Sequence, residues 1–154
     1  MKILIPTAKE MNLSLKPHGK CFLSEQTKTI VASLSQYSIE ELADFYHISL
    51  ERAEEEYIHL QQLKNGQALT YPALHLFDGL MYRNIKRSHL TEQELRYVDK
   101  HLFITSSLYG VIPVMALISP HRLDFLVKCT IFGKSLKNYW CNDYDVAISD
   151  EEMI

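Results

Sequence analysis

Few side chains in this sequence stand at spacings that perform chemistry unaided. One Glu-x-x-His pair, Glu56 and His59, sets a carboxyl and an imidazole about one helical turn apart. Carboxylate-bridged di-iron bundles use two such pairs and two further Glu residues. A single copy fits a solvated helix face better than a metal site. His18, His47, His75, His89, His101 and His121 show no ligand spacing. Cys21, Cys129 and Cys141 are widely separated and include no CxxC, a poor pattern for zinc or for a disulfide framework. Each reads as a small buried apolar side chain. Dinucleotide-binding, Walker, HExxH and GxSxG motifs are missing. The residues therefore imply no cofactor and no metal, and leave open whether the protein is an enzyme.

One segment could meet an anion. Leu42-x-x-Phe45-x-His47-Ile48-Ser49-x-x-x-Ala53 has the rhythm of a helix-hairpin-helix, in which backbone N–H groups at a helix start face a phosphate. His47 and Ser49 stand where such hairpins carry glycine, which costs backbone freedom. The following helix carries Glu51, Glu54, Glu55 and Glu56, which repel a phosphate backbone. A plain αα-hairpin burying Leu42, Phe45, Ile48 and Ala53 is the alternative.

Charge is unevenly distributed. The 154 residues hold 16 Lys+Arg against 19 Asp+Glu, a formal net charge of −3. Residues 1–20 are net basic through Lys2, Lys9, Lys16 and Lys20; residues 21–82 are acidic; residues 83–137 are basic again; Asp143, Asp145, Asp150, Glu151 and Glu152 close the sequence without a base. A globally basic nucleic-acid signature is absent. The two basic segments form one patch if the fold joins them, and are ordinary surface charge if it does not. The composition, 47% hydrophobic and 23% charged, excludes long disorder. No apolar run approaches the roughly 18–20 residues that span a bilayer. The apolar start, Met1 to Pro6, is too short for a secretory signal, so the expected compartment is the cytoplasm.

The elements that must position these residues can be read from periodicity and caps. Lys2–Ile5 predicts a short buried strand stopped by Pro6. Phe22–Leu34 predicts an amphipathic helix. Ser38 and Glu41 form a capping box, and Ser49 caps a helix whose buried face is Leu50, Ala53, Tyr57 and Leu60, with its four glutamates exposed. Asn65-Gly66 ends that helix. Tyr71-Pro72 is extended, and Asp78-Gly79 turns. Thr91 and Glu94 open a helix to about His101. Leu102–Thr105 reads as a strand, Val111–Ile118 as an apolar run broken by Pro113, Arg122–Val127 as a further strand, and Ser135–Trp140 as one or two helical turns. This mixture predicts a mixed α/β (α+β) fold, with residues 1–142 as a single domain and 143–154 as an acidic tail.

Several segments together resemble the YaaA peroxide-stress-resistance family. Met1–Lys9 resembles its opening strand, with Ala8-Lys9 kept and Pro6-Thr7 in place of Ser-Pro. Ser38–Ala53 resembles its hairpin stretch, and Tyr71–Tyr82 its Pro-Ala-x-x-x-Phe-x-Gly-Asp-Val-Tyr segment, with Leu80 for Asp. His101–Val111 followed by Ile118–Leu123 resembles its Ser-Gly-Leu-Tyr-Gly and Gln-Pro-Tyr-Arg-Leu blocks, with Ser107 for Gly and His121 for Tyr. Gly133-Lys134-Ser135-Leu136 and Trp140 match a further Gly-Lys-x-Leu and Trp pair. Pro113-Val114-Met115 replaces an Arg-Pro-Leu step, which removes one cleft arginine. The sequence resembles the N-terminal portion of the family, as a truncated or diverged member.

That resemblance implies a mixed α/β fold with a cationic cleft, binding of double-stranded DNA, and a cytoplasmic role under hydrogen peroxide that limits free-iron-driven damage. Carried over by position, the cleft residues are Lys9, Tyr82, Tyr109 and Arg122, and the phosphate-binding hairpin residues are Ile48 and Ser49. A Lys–Arg pair beside aromatic hydroxyls suits an anion. Structural roles compete with this: core tyrosines with satisfied hydroxyls, and Arg122 ion-paired with Asp124. Two other functions stay open. One is an enzyme for a small phosphorylated or nucleobase-like substrate, with a Tyr or His121 moving the proton. The other is a degenerate scaffold. An incomplete core would favour a homodimer.

Overall fold

A short aliphatic run, Ile3-Leu4-Ile5, builds β1 (Ile3–Pro6). The structure, a computed structural model, describes residues 1–149. Pro6 is the last residue of β1 rather than lying beyond it. It fits there because β1 lies at the edge of its sheet, where a missing N–H breaks no ladder bond. The helix α1 (Glu25–Leu34) begins three residues later than the apolar pattern predicts, because the Ser24 side chain accepts from the Thr27 amide and fixes the start. Phe22 is left outside, 98% exposed.

The capping box on Ser38 and Glu41 opens α2 (Ile39–Tyr46). His47 then takes a left-handed conformation, φ 54° and ψ 51°. Ser49, its side chain accepting from the Arg52 amide, starts α3 (Leu50–Lys64). The buried stripe of α3 is Ala53, Glu56, Leu60 and Leu63, not the expected Leu50, Ala53, Tyr57 and Leu60. Leu50 is 59% exposed. Glu56, expected in solvent, is 2% exposed. The stripe includes Glu56 because its carboxyl has a hydrogen-bond partner in a distant loop, described below.

After α3 come β2 (Tyr71–Pro72), α4 (Ala73–Leu76) and α5 (Leu80–Arg83). A second capping box, Thr91 with Glu94, opens α6 (Glu92–His101). This leads directly into β3 (Leu102–Ser106), β4 (Gly110–Pro113) and β5 (Leu117–Ile118). A hairpin of β6 (Thr130–Ile131) and β7 (Lys134–Ser135) follows, then α7 (Leu136–Tyr139) and α8 (Cys141–Ile148). The region expected to be an acidic tail thus starts inside α8, which packs on β4; its Asp150, Glu151 and Glu152 lie outside the described residues.

The architecture is mixed α/β. Its main sheet has the order β1-β3-β4, parallel between β1 and β3 and antiparallel between β3 and β4. Two hydrophobic clusters lie apart in it. One gathers α1, α2 and α3 with Leu108, Leu123, Leu136 and Trp140. The other gathers Ala73, Leu74, Leu76, Phe77, Tyr82, Ile104, Val114 and Ile118. Tyr109 packs against both. The segment 122–127, expected as a strand, is not one. Asp124 captures the amides of Leu126 (2.8 Å) and Val127 (3.2 Å) with its own carboxylate, and a backbone turned on a local side chain cannot join a ladder.

Gly79 lets the chain between β1 and α1 lie against α5. A Cβ there would stand 2.8 Å from the Cβ of Ala8, and neither carbon can swing away. We expect Gly79→Ala to cost about 1–3 kcal/mol, read as a lower urea midpoint. An unchanged midpoint would mean that the Ala8 contact is not needed.

Candidate functional site

The two loops that follow β1 and β5 lie between the hydrophobic clusters, and an open cavity of about 1060 Å³ forms there. Lys9 and Arg122 both line it, together with Arg52 and Lys128. Asp124 is the one acidic side chain in that lining, and its carboxylate is taken up by two amides of its own loop. Among the described residues, none of the four cations has an ion-pair partner within 4 Å. Phe45, Phe77 and Phe125 supply apolar wall. A second cavity of about 570 Å³ shares Lys9, Arg52, His121 and Arg122 and adds four acids, Glu10, Glu55, Glu56 and Asp78, with His59.

Each loop is held by side chains from elsewhere in the chain. On the Lys9 side, the Tyr82 hydroxyl donates to the Pro6 carbonyl at 2.6 Å. The Asp78 amide donates to Glu10 O, and the Asn12 amide to Leu76 O, both at 2.8 Å. Glu10 and Asp78, which share the second cavity with Lys9, pair with Arg83 and Arg87.

On the Arg122 side, the Tyr109 hydroxyl accepts from the Ser119 amide at 3.0 Å. His121 donates Nδ1–H to the Ser119 carbonyl at 3.0 Å. The Arg122 amide donates to Glu56 Oε1 at 3.1 Å, while Glu56 Oε2 lies 3.4 Å from His59 Nδ1. The Ser107 hydroxyl donates to the Leu123 carbonyl at 2.8 Å. This hydroxyl ties the turn between β3 and β4 to the arginine loop.

The structure therefore gathers Lys9, Ile48 and Arg122 around one cavity. Tyr82 and Tyr109 do not line it; they anchor the loops that do. Ser49 is the N-cap of α3, its Oγ 3.3 Å from the Arg52 amide. The sequence does not single out Arg52, Lys128 or Glu56 for this site. Arg52 and Glu56 are four apart on α3, a spacing that signals a shared face only once the buried stripe is known. Lys128 carries no spacing signal at all. Among the described residues, no group of three or more His, Cys, Asp or Glu is placed to hold a metal ion. No helix among them is long and apolar enough to cross a membrane.

Residues 1–154 match the family described as Peroxide stress protein YaaA. The chain belongs to this family. A UPF0246 protein of Streptococcus gordonii is 56% identical over all 154 residues, which are 63% of that relative. A UPF0246 protein of Streptococcus pneumoniae is 52% identical over the same span, 64% of its length. The chain thus spans just under two thirds of the relatives it matches.

The three tyrosines of the region, Tyr46 and Tyr82 buried and Tyr109 partly buried, are not equivalent. Burial pushes all three hydroxyls well above the usual tyrosine range, so each is a neutral hydroxyl. Tyr82 and Tyr109 have partners, whereas Tyr46 Oη is buried without one. We expect Tyr82→Phe to cost about 0.5–1.5 kcal/mol and Tyr109→Phe, which orphans the Ser119 amide, about 1–3 kcal/mol. Tyr46→Phe should cost nothing or stabilise. Equal losses for all three in urea titrations would refute this ordering.

Burial also holds His121 below the ordinary imidazole value of 6.5, and burial with the nearby Arg87 charge does the same for His75. The unfolded chain then binds protons that the folded chain does not. Stability is complete above pH 6.5 and declines as pH falls below it, levelling once the folded rings protonate. Asp78 and Glu94, held down by Arg87 and Lys86, add a separate loss below pH 4.5. Urea midpoints between pH 7 and 5 should fall, with a shallower slope for His121→Asn; equal slopes would remove His121 from the account.

Proposed function

We propose that the cationic cavity binds the phosphate backbone of double-stranded DNA as part of a cytoplasmic response to hydrogen peroxide. The observation that carries this is the set of four cations without an ion-pair partner among the described residues, Lys9, Arg52, Arg122 and Lys128, in the lining of one cavity. Holding like charges together without counter-charges costs folding energy, and an anionic ligand offsets that cost. Family membership supplies the peroxide context. The hairpin after α2 lies on the same rim: Ile48 and His47 line the cavity, and the amides at the start of α3 are a further place for a phosphate oxygen.

This reading also connects phosphate binding to iron. A duplex carries a condensed layer of cations, and each phosphate neutralised by Lys or Arg releases its counterion. Iron bound at the backbone would be released with the rest, which removes the site of radical formation from the DNA. Limiting iron-driven damage then needs no redox chemistry in the protein itself.

A second reading is a small phosphorylated substrate. The apolar wall of Phe45, Phe77 and Phe125 favours it, since these rings could cover a compact organic group beside the cations. Salt separates the two. Backbone binding loses affinity linearly in log salt, with a slope of about −0.9 per neutralised phosphate.

Fluorescence anisotropy of a labelled duplex from low to moderate salt should show that slope. Lys9→Ala and Arg122→Ala should each reduce it by about one and weaken binding by about tenfold. No binding of the wild-type protein at low salt would refute the proposal. Binding unchanged in both variants would show that the duplex lies elsewhere.

A further inference from the structure

Glu56 is the one buried acidic side chain among the described residues; its helical neighbour His59 lies 3.4 Å from Oε2, and the family resemblance gives it no task. Its Oε1 receives the backbone N–H of Arg122 across 66 positions of sequence. That amide belongs to a loop without strand or helix partners on either side. The bond joins α3, a fifteen-residue helix, to the backbone from which the Arg122 side chain leaves.

We propose that Glu56 is the positioning residue of the cationic cavity: by accepting the Arg122 amide it sets the place and direction from which the guanidinium meets a phosphate. The proposal rests on the reading of the cavity as a phosphate site and adds the residue on which its geometry depends. The same helix presents Arg52 to the cavity one turn earlier. One rigid element therefore spaces two of the four cations, Arg52 directly and Arg122 through the carboxyl of Glu56.

What Arg122 needs from residue 56 is an acceptor at the right reach, and the formal charge is incidental. A buried N–H left without an acceptor is costly, so without Glu56 the loop should move until water reaches the amide. The energetic alternative is that Glu56 merely fills space under the loop. The two differ in what a conservative replacement does. Glutamine keeps an oxygen at the same reach. Methionine keeps the length and volume and removes the strong acceptor. Aspartate keeps the charge and loses the reach.

The test combines two readouts on the full chain. Amide hydrogen exchange at Arg122 reads the bond itself, and anisotropy with a labelled DNA duplex reads the cavity. In the wild type the Arg122 amide should be protected. Glu56→Gln should keep that protection and bind within about threefold of wild type. Glu56→Met and Glu56→Asp should each lose protection and bind about tenfold more weakly, the equivalent of about 1.4 kcal/mol. Thermal melting identifies any variant that does not fold, and Glu56→Asp decides if Glu56→Met is lost in this way.

An unprotected Arg122 amide in the wild type would overturn the proposal. So would a folded Glu56→Met or Glu56→Asp with wild-type exchange and affinity, or a Glu56→Gln as impaired as they are. If the wild-type protein binds no duplex at any salt, the phosphate reading falls by itself. Exchange then still decides the strut: protection kept in Glu56→Gln and lost in Glu56→Asp upholds it, and equal exchange in the two refutes it.

Discussion

Residues 119–127 form neither helix nor strand, yet Ser119, His121 and Leu123 are buried. Backbone that leaves water without a ladder must find other partners for its N–H and C=O groups. Here those partners are side chains drawn from distant parts of the chain: Tyr109 for the Ser119 amide, Glu56 for the Arg122 amide and Ser107 for the Leu123 carbonyl. His121 and Asp124 add three more bonds from within the loop. Arg122 is delivered to the cavity by this set of bonds and by nothing more regular. Irregular backbone can be placed as firmly as a strand when each polar group has a fixed, buried partner.

The Lys9 loop is built on the same logic with different parts. A tyrosine hydroxyl again meets a backbone group, Tyr82 on Pro6, and backbone bonds to residues 76–78 do the remainder. Tyr82 and Tyr109 are therefore counterparts, one for each cationic loop. Each ring packs in the hydrophobic region while its hydroxyl secures a loop at the cavity margin. This explains why aromatic hydroxyls accompany the cations without lining the cavity. A tyrosine carries a large apolar body and one polar end, which suits the boundary between a core and a loop.

The cavity itself lies where two hydrophobic clusters meet incompletely. That position has an electrostatic consequence. Four cations and one carboxylate line the cavity, so the local charge is positive although the net charge of the sequence is −3. Three of the nearby acids have partners of their own: Glu10 and Asp78 on Arg83 and Arg87, Glu56 on an amide. The local field depends on which charges are paired, and the sum over the chain says little about it.

Much of the local structure was legible in the residues. Both capping boxes, the Ser49 cap, the end of α3 and the strand at 102–106 follow from interactions within a few residues, which sequence spacing encodes directly. The family likeness brought Lys9, Tyr82, Tyr109 and Arg122 into view as a set. What periodicity misread was the face of α3 and the character of 122–127. In both cases the deciding bond involves Glu56 or Asp124, whose acceptor oxygens compete with the apolar pattern. The sequence by itself determined the caps, the turns and the apolar supply for two clusters, because those terms are local or additive. Only the tertiary structure decided that Glu56 is buried, that two tyrosines hold loops, and that Lys9, Arg52, Arg122 and Lys128 line one cavity. Those outcomes depend on hydrogen bonds and contacts between residues tens of positions apart, and no local spacing records them.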